Sequence, residues 1–236
     1  MEIQEIFSDA LRYPFQNIKA LVIYLILGII LGLATAGTMA SIGLSVAAQN
    51  VMAVIGTGFL GIIIALIISF AIYGFELDIV KYGIERNDGA PEIDFVRQFI
   101  NGVKLFVVSF IYLLIPIIIA LILSVVFQHW LALIIDIILF LVFGLAAIMA
   151  ECRLAKTEEL GYALAVGDAI ADISSVGFLK LLVFLVIAIV FALVLYLIGS
   201  LISSWNATVG GIILGIIGIY LTFFVARAIG LLYSDV

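Results

Sequence analysis

The sequence predicts an all-α, polytopic membrane protein with six transmembrane helices, and two observations support this fold class. Of the 236 residues, 67% are hydrophobic and only 11% are charged, whereas a soluble domain usually carries about a quarter charged residues. In addition, six apolar stretches are each long enough to cross a bilayer, which takes roughly 20 helical residues. With a mean hydropathy of +1.43, the chain has too little polar surface to cover a water-facing globule.

The six apolar stretches follow one another with short connections and leave no room for a soluble domain. We place them at Ile18–Ala36, Met52–Tyr73, Val103–Phe127, Leu131–Ala150, Leu179–Ser203 and Val209–Leu232. The residues before the first stretch include three acids and Pro14, and they lack the basic start of a signal peptide. We therefore expect the first stretch to be a retained transmembrane helix and residues 1–236 to form a single membrane domain.

The distribution of basic residues predicts the orientation of the helices. All ten Lys and Arg residues fall at one end, and the three opposite connections, near 37–51, 128–130 and 204–208, contain none. Short loops rich in Lys and Arg remain in the cytoplasm. We therefore expect a multi-pass protein of the cell membrane with both termini in the cytoplasm. Trp130 and Trp205 lie in the opposite connections, at the headgroup level that indole rings prefer.

An internal repeat with an offset of 75 residues relates parts of the chain. Trp130 and Trp205 have this separation, and so do Glu76 and Glu151. Arg227 holds the matching place in a third unit, one residue short of the offset. The pattern predicts three parallel units with an approximate threefold axis along the membrane normal. The units span about 1–88, 89–156 and 157–236.

Each unit is expected to begin with an amphipathic helix and to continue with a transmembrane hairpin. The amphipathic segments are Ile3–Phe15, Phe95–Val103 and Leu160–Gly167. A helical period with one apolar face is typical of an interfacial helix at the membrane surface. The alternative is that these helices close the cytoplasmic end of the bundle.

Small residues four positions apart predict close helix packing inside the bundle. Gly28 and Gly32 have this spacing in the first span, and Gly211 and Gly215 have it in the last. In lipid, such small-xxx-small patterns let two helix backbones approach closely.

Asp136 is the one ionisable residue expected well inside a span. It follows Trp130 by six residues, which places it roughly 9 Å deeper. An Asp at the centre of a span costs about 2.5–3.5 kcal/mol on insertion scales. Its carboxyl group is therefore expected to be protonated, bonded to hydroxyls such as those of Ser124 or Tyr196, or facing water. Two roles remain open, one in transport or proton movement and one as a satisfied structural acid.

A second polar cluster comes from equivalent positions at the cytoplasmic ends of the three units. Its members are Glu76, Asp78, Lys81, Glu151, Arg153, Lys156 and Arg227. They form either a ring of salt bridges or a site for a lipid headgroup or a solute. The candidate ligand or ion residues are Asp136, Glu76, Glu151, Arg153 and Arg227.

Several function classes are not expected from this composition. One His and one Cys cannot build a zinc site of the usual kind. The sequence contains neither a Gly-x-Ser-x-Gly motif nor a phosphate-binding glycine loop. The net charge of −6 argues against nucleic acid as a partner. We therefore expect a protein that is not an enzyme and that holds no cofactor and no metal.

The stretch from Ala90 to Pro116 carries a further pattern. Its residues are Pro91, Asp94, Phe95, Phe99, Gly102, Lys104, Tyr112 and Pro116. Together with a later run, 149–168, they resemble the signature of an uncharacterised multi-pass membrane family common in archaea. That family usually has a basic residue soon after a glycine–aromatic pair like Gly74-Phe75, where this chain has Asp78.

The same family is similar to the membrane domain attached to some glycerophosphodiester phosphodiesterases. The resemblance implies the topology and an archaeal cell membrane, and it gives a hint toward lipid. We therefore expect a non-catalytic membrane protein that binds lipid or organises the bilayer or a protein partner. The alternative is a small transporter or channel-like protein in which Asp136 and the cytoplasmic charged ring line a path.

Overall fold

A computed structural model describes residues 1–126, 129–205 and 207–236. These residues form helices and no strand, as predicted for an all-α protein. In chain order the helices are α1 (Ile3–Gln16), α2 (Ile18–Ala47), α3 (Val51–Ile84), α4 (Phe95–Val126), α5 (His129–Thr157), α6 (Leu160–Ala163), α7 (Val166–Val176), α8 (Phe178–Trp205) and α9 (Ala207–Tyr233).

Six of these helices, α2, α3, α4, α5, α8 and α9, are long and apolar enough to cross a membrane. They coincide with the six predicted stretches, which confirms the fold class, although Phe127 lies outside the described residues. The helices extend beyond the stretches because a helix does not have to end where its hydropathy falls. As a result, the connection predicted near 37–51 shrinks to a turn at 48–50, where Asn50 caps α3 by accepting a hydrogen bond from the Ala53 amide.

The amphipathic segments differ in part from the prediction. The first is a separate helix, α1. The second, Phe95–Val103, forms the first turns of α4, because Asp94 caps the helix start by accepting bonds from the amides of Val96 and Arg97. The third is divided between the single turn α6 and the longer α7, which ends at Val176. The threefold repeat itself stays a prediction.

The helices α3, α5 and α9 contact one another at the centre of the bundle. Helix α2 packs against α3 and α9, α4 packs against α3 and α5, and α8 packs along α9. Most buried side chains belong to the halves of the helices near the chain termini. There, Tyr24 stacks on Phe75 with ring centroids 3.9 Å apart, and Phe223 lies 5.4 Å from Phe75.

Two glycines let α3 and α4 cross with their backbones in contact. A Cβ atom added to Gly74 would lie 1.7 Å from the Gln98 carbonyl oxygen, and one added to Gly102 would lie 1.9 Å from the Phe70 carbonyl oxygen. Because each glycine faces the backbone of the other helix, the crossing has room only for hydrogen at both positions. This contact places the polar residues at the start of α4 beside the end of α3.

Candidate functional site: paired charges, an unpaired carboxyl cavity and an apolar groove

Both chain termini lie at the same end of the bundle, which we call the charged end. The Met1 ammonium donates to Asp235 Oδ2 at 3.2 Å, and Lys156 Nζ donates to the Val236 carbonyl oxygen at 3.0 Å. Arg86 also pairs with Asp235. Since the helices alternate in direction, the ten basic residues all belong to this end.

Asp78 on α3 is buried at the charged end, with 4% of its surface exposed. Its carboxylate accepts two bonds from the Arg97 guanidinium, at 3.1 and 2.9 Å, and one from the Gln98 amide at 3.2 Å. Gln98 in turn accepts a bond of 2.6 Å from the Tyr24 hydroxyl. The acid that departs from the family pattern is therefore compensated by a base on α4, and the network ties α2, α3 and α4 together.

Arg153 on α5 makes the corresponding contact with the opposite charges. Its guanidinium donates to Asp172 and Asp168, both at 3.0 Å, and to the Tyr162 carbonyl oxygen. Asp78 and Arg153 are 75 residues apart, and so are their partners Arg97 and Asp172. The same ion pair thus occurs at the same offset with acid and base exchanged.

Arg227 on α9 is only 1% exposed and fully engaged. It donates to Asp9 at 2.8 Å, to Asp88 at 2.5 Å and to the Asn87 carbonyl oxygen at 2.6 Å. Its guanidinium carbon also lies 4.9 Å from the centre of the Tyr13 ring. Burial raises the pKa of Tyr13, so its hydroxyl stays protonated. Arg227 therefore locks α1 and the turn after α3 onto α9.

Glu158 completes the paired charges between α5 and α6. It accepts a bond of 2.6 Å from Lys81, and this contact holds the pKa of the Glu158 carboxyl group below its usual range. Lys104 donates to the Glu158 carbonyl oxygen at 2.9 Å. At the charged end, Arg153 and Arg227 thus spend their donors on the protein itself, which is the arrangement of a salt-bridge ring rather than of an open headgroup site.

Glu76 and Glu151 are different, because neither belongs to any ion pair within the described residues. Both line one cavity of about 270 Å³ between α3, α4 and α5, together with Tyr73, Leu105, Phe106 and Ser109. The Glu151 oxygen Oε1 is shielded from solvent and has no hydrogen-bond partner in the described part of the chain. The structure therefore brings together two of the five candidate residues in a cavity that leaves a carboxyl oxygen unsatisfied.

Asp136 lies away from both groups, near the outer end of α5. Its Oδ1 is buried, and no described residue bonds to it. The Ser124 hydroxyl donates to the Leu121 carbonyl oxygen instead. Within the coordinates for 1–126, 129–205 and 207–236, no group of three His, Cys, Asp or Glu residues could hold a metal.

The apolar stripe of α1 faces a groove and not the core. The buried face of α1 consists of Ile6, Ala10, Tyr13 and Pro14. The predicted stripe lies beside it, and its residues Ile3, Phe7 and Leu11 border a cavity of about 470 Å³ against α8. Across this α1–α8 groove stand Val183 and Ile187, and its remaining lining residues are Gln4 and Ser8.

Sequence reasoning missed the partners of the charged residues. Arg97 and Asp172 could have been found, because they share the 75-residue offset of Asp78 and Arg153. Asp9 and Asp88 carry no such signal, since they reach Arg227 only through the packing of α1 and the turn after α3. Ser109 carries none either, because a lone serine in an apolar run has no periodicity.

Comparison with known proteins places the chain in a family. Residues 57–204 match the family model described as "Protein of unknown function (DUF4013)", and this range covers more than half of the 236 residues. The chain belongs to this family. The DUF4013 region includes Glu76, Glu151 and Asp136, whereas α1 and Arg227 lie outside it. Searches of the curated proteins and of the solved structures each found no match.

Proposed function

We propose that this DUF4013 protein binds a membrane lipid in the α1–α8 groove and does so without catalysing a reaction. The observation that carries the proposal is the composition of the groove. Its apolar walls, Phe7, Leu11, Val183 and Ile187, meet polar side chains along one edge. A lipid is an amphiphile of the same design, with acyl chains that fill apolar space and a headgroup that needs polar contacts.

The apolar part of the groove suits an acyl chain. An unfilled space forfeits the dispersion contacts of its walls, and in a bilayer the available filler is hydrocarbon. Helix α8 is also bordered by a second apolar cavity, of about 240 Å³, whose lining includes Leu145, Phe184 and Ala188. Lipid chains on both flanks of α8 would replace the protein contacts that this helix lacks toward α1 and α5.

The polar edge of the groove suits a headgroup without net negative charge. Gln4 and Ser8 line both the groove and a polar cavity of about 660 Å³ on the other side of α1. Glu2 and Glu5 also line the polar cavity and have no basic side chain bonded to them in the described structure. Acids at this edge repel anionic headgroups, which favours a zwitterionic or uncharged lipid.

Filling the groove from α8 is expected to displace the lipid. The variant Val183→Phe places a ring between α8 and the stripe of α1, so the protein purified in mild detergent should retain several-fold less lipid than the wild type. Native mass spectrometry and lipid analysis of the same sample measure the retained lipid. A melting curve checks that the variant is folded.

The matched control is Val194→Phe, which adds the same ring on α8 deeper in the membrane. Val194 is 49% exposed and does not line the groove. This variant should retain as much lipid as the wild type. Equal lipid in the wild type and in folded Val183→Phe would refute the α1–α8 groove as the binding site.

We also propose that the charged end faces the cytoplasm of the cell membrane, because Lys and Arg concentrate on that side of short-loop proteins. An epitope tag at residue 1 or at residue 236 should be protected from an impermeant reagent in intact cells and become reactive after permeabilisation. Labelling of either tag in intact cells would contradict this orientation. The archaeal source and the likeness to the phosphodiesterase membrane domain stay predictions of the resemblance.

Transport is a second candidate, and the observation that favours it is the carboxyl cavity and not Asp136. An ionisable group inside a span is often part of an ion pathway. The unpartnered oxygen of Glu151 stands beside a second acid in an accessible cavity, whereas Asp136 shows an unsatisfied oxygen alone.

A further inference from the structure

We propose that Glu76 and Glu151 form a site for one exchangeable cation, held either as a proton shared by the two carboxyl groups or as a hard metal ion in its place. This inference goes beyond lipid binding and does not depend on it. It rests on the cavity, on the unsatisfied oxygen of Glu151 and on the absence of a basic partner, and each of these can be argued separately.

The two carboxyl groups come together because α3 and α5 pack against each other at the centre of the bundle. Both line the same cavity of about 270 Å³. Glu76 lies five residues before Lys81, and Glu151 five residues before Lys156, which places each acid roughly 7.5 Å deeper than the corresponding lysine. The pair therefore sits below the level of the paired charges, at the edge of the apolar region.

No described base neutralises the pair. The charged residues nearest to it on α3, α4 and α5 are Asp78, Lys81, Arg97, Lys104, Arg153 and Lys156. Each of them is bonded elsewhere: Asp78 to Arg97, the two lysines Lys81 and Lys104 to Glu158, Arg153 to Asp172 and Asp168, and Lys156 to the C-terminal residue. Two unscreened carboxylates this close repel each other, so a positive charge must join them.

The unsatisfied oxygen indicates that this positive charge is a ligand and not part of the fold. A buried carboxyl oxygen without a partner costs about 1–3 kcal/mol or more, yet Oε1 of Glu151 has none among the described residues. A proton shared with Glu76, or a cation between the two groups, would satisfy it. The free energy that a bare carboxyl pair loses by burial then becomes affinity for the cation.

Ser109 supplies a further oxygen to the cavity. The hydroxyls of Thr35, Thr57 and Thr222 donate to carbonyls of their own helices, as is common for such residues in spans. Ser109 makes no such bond within the described residues and lines the carboxyl cavity. Carboxylate and hydroxyl oxygens are the ligands of hard cations, and the cavity has room for water to complete a coordination shell.

Access to the site is from the side of the bundle. Tyr73 and Phe106, at the cavity wall, are 45% and 48% exposed on helices that face lipid. Exchange therefore takes place beside the interface at the charged end, where water and ions are available. When Na⁺ or Mg²⁺ enters, it replaces the shared proton, which leaves to water, and the carboxylates become its ligands.

The test uses the infrared absorption of protonated carboxyl groups in the full-length protein in nanodiscs. The wild type should show a carboxylic acid band that weakens as the pH rises from about 5 to about 9, or that weakens at fixed pH when choline chloride is replaced by NaCl or MgCl₂. A response to pH alone assigns the site to the proton, and a response to one of the two salts assigns it to that metal ion.

Glu76→Gln and Glu151→Gln should each remove the responsive band, because a single carboxyl group neither shares a proton nor chelates a cation. Glu159→Gln is the control, since Glu159 is an exposed acid close to the charged end, and it should respond like the wild type. A wild-type band that changes with neither pH nor salt would overturn the proposal, as would an unchanged response in folded Glu76→Gln. Val183→Phe should keep the response, so this result is independent of the lipid experiment.

Discussion

Asp78→Arg alone is expected to lower the melting temperature of the purified protein by about 10 °C, and the double variant Asp78→Arg/Arg97→Asp is expected to recover most of that loss. Removing one partner of a buried ion pair costs about 3–5 kcal/mol. Because Arg97 is partly exposed, we expect about 3 kcal/mol, and each kcal/mol shifts the midpoint by about 2–4 °C in a domain of this size. The single variant also places two guanidinium groups side by side.

The recovery follows from the second ion pair of the same kind. Arg153 and Asp172 hold the positions 75 residues after Asp78 and Arg97 with the charges exchanged. The scaffold therefore accepts either polarity, and the Gln98 amide can turn its oxygen toward the new guanidinium. Thermal unfolding followed by size-exclusion chromatography measures the shift.

Glu92→Arg is the matched charge reversal, since the Glu92 side chain is exposed, and it should melt within about 2 °C of the wild type. If the double variant were as unstable as Asp78→Arg, the equivalence of the two ion pairs would be rejected. If Asp78→Arg melted with the wild type, the pair would contribute nothing to stability.

Gly74→Ala is expected to have an effect of similar size, through backbone contact and not through charge. The added methyl group would stand 1.7 Å from the Gln98 carbonyl oxygen, so α3 and α4 must move apart. Overpacking of this kind typically costs about 1–3 kcal/mol, and more when a backbone must shift. We expect a melting temperature lower by about 10 °C and weaker accumulation in the membrane. Gly102→Ala, which faces the Phe70 carbonyl oxygen, should behave alike.

Gly144→Ala controls for the chemistry of the substitution. Gly144 lies in the span α5, and a Cβ there would meet nothing within 4 Å. Alanine favours the helix by about 0.5–1 kcal/mol over glycine, so this variant should be unchanged or slightly more stable. Equal melting temperatures for Gly74→Ala and Gly144→Ala would show that the two helices have slack at their crossing.

The contrast among glycines shows where pattern reasoning stops. The spacing of Gly28 and Gly32 predicts close packing, but only Gly28 has a near neighbour, with Ile219 about 3.0 Å from an added Cβ, and Gly32 meets nothing within 4 Å. The tightest crossing uses one glycine from each of two helices, Gly74 and Gly102. A spacing within one helix cannot reveal which face meets a neighbour.

The amphipathic stripe of α1 gives the same lesson. The four-residue period of Ile3, Phe7 and Leu11 correctly predicts a helix, but the fully buried residues of α1 are others, such as Ile6 and Ala10. Hydrophobicity marks side chains that avoid water, and near a membrane both the protein core and lipid provide that environment. Only the position of α9 and α8 decides which apolar residues face which.

The amino-acid sequence by itself determined the six spans and the gathering of basic residues at one end, because transfer into hydrocarbon and loop charge act on each segment separately. It also placed Glu76 and Glu151 at equivalent positions. Only the tertiary structure decided that these two acids share a cavity while Arg153 and Arg227 are spent on ion pairs. Such pairing depends on which helix faces are in contact, and that is a property of the packed bundle and not of any one segment.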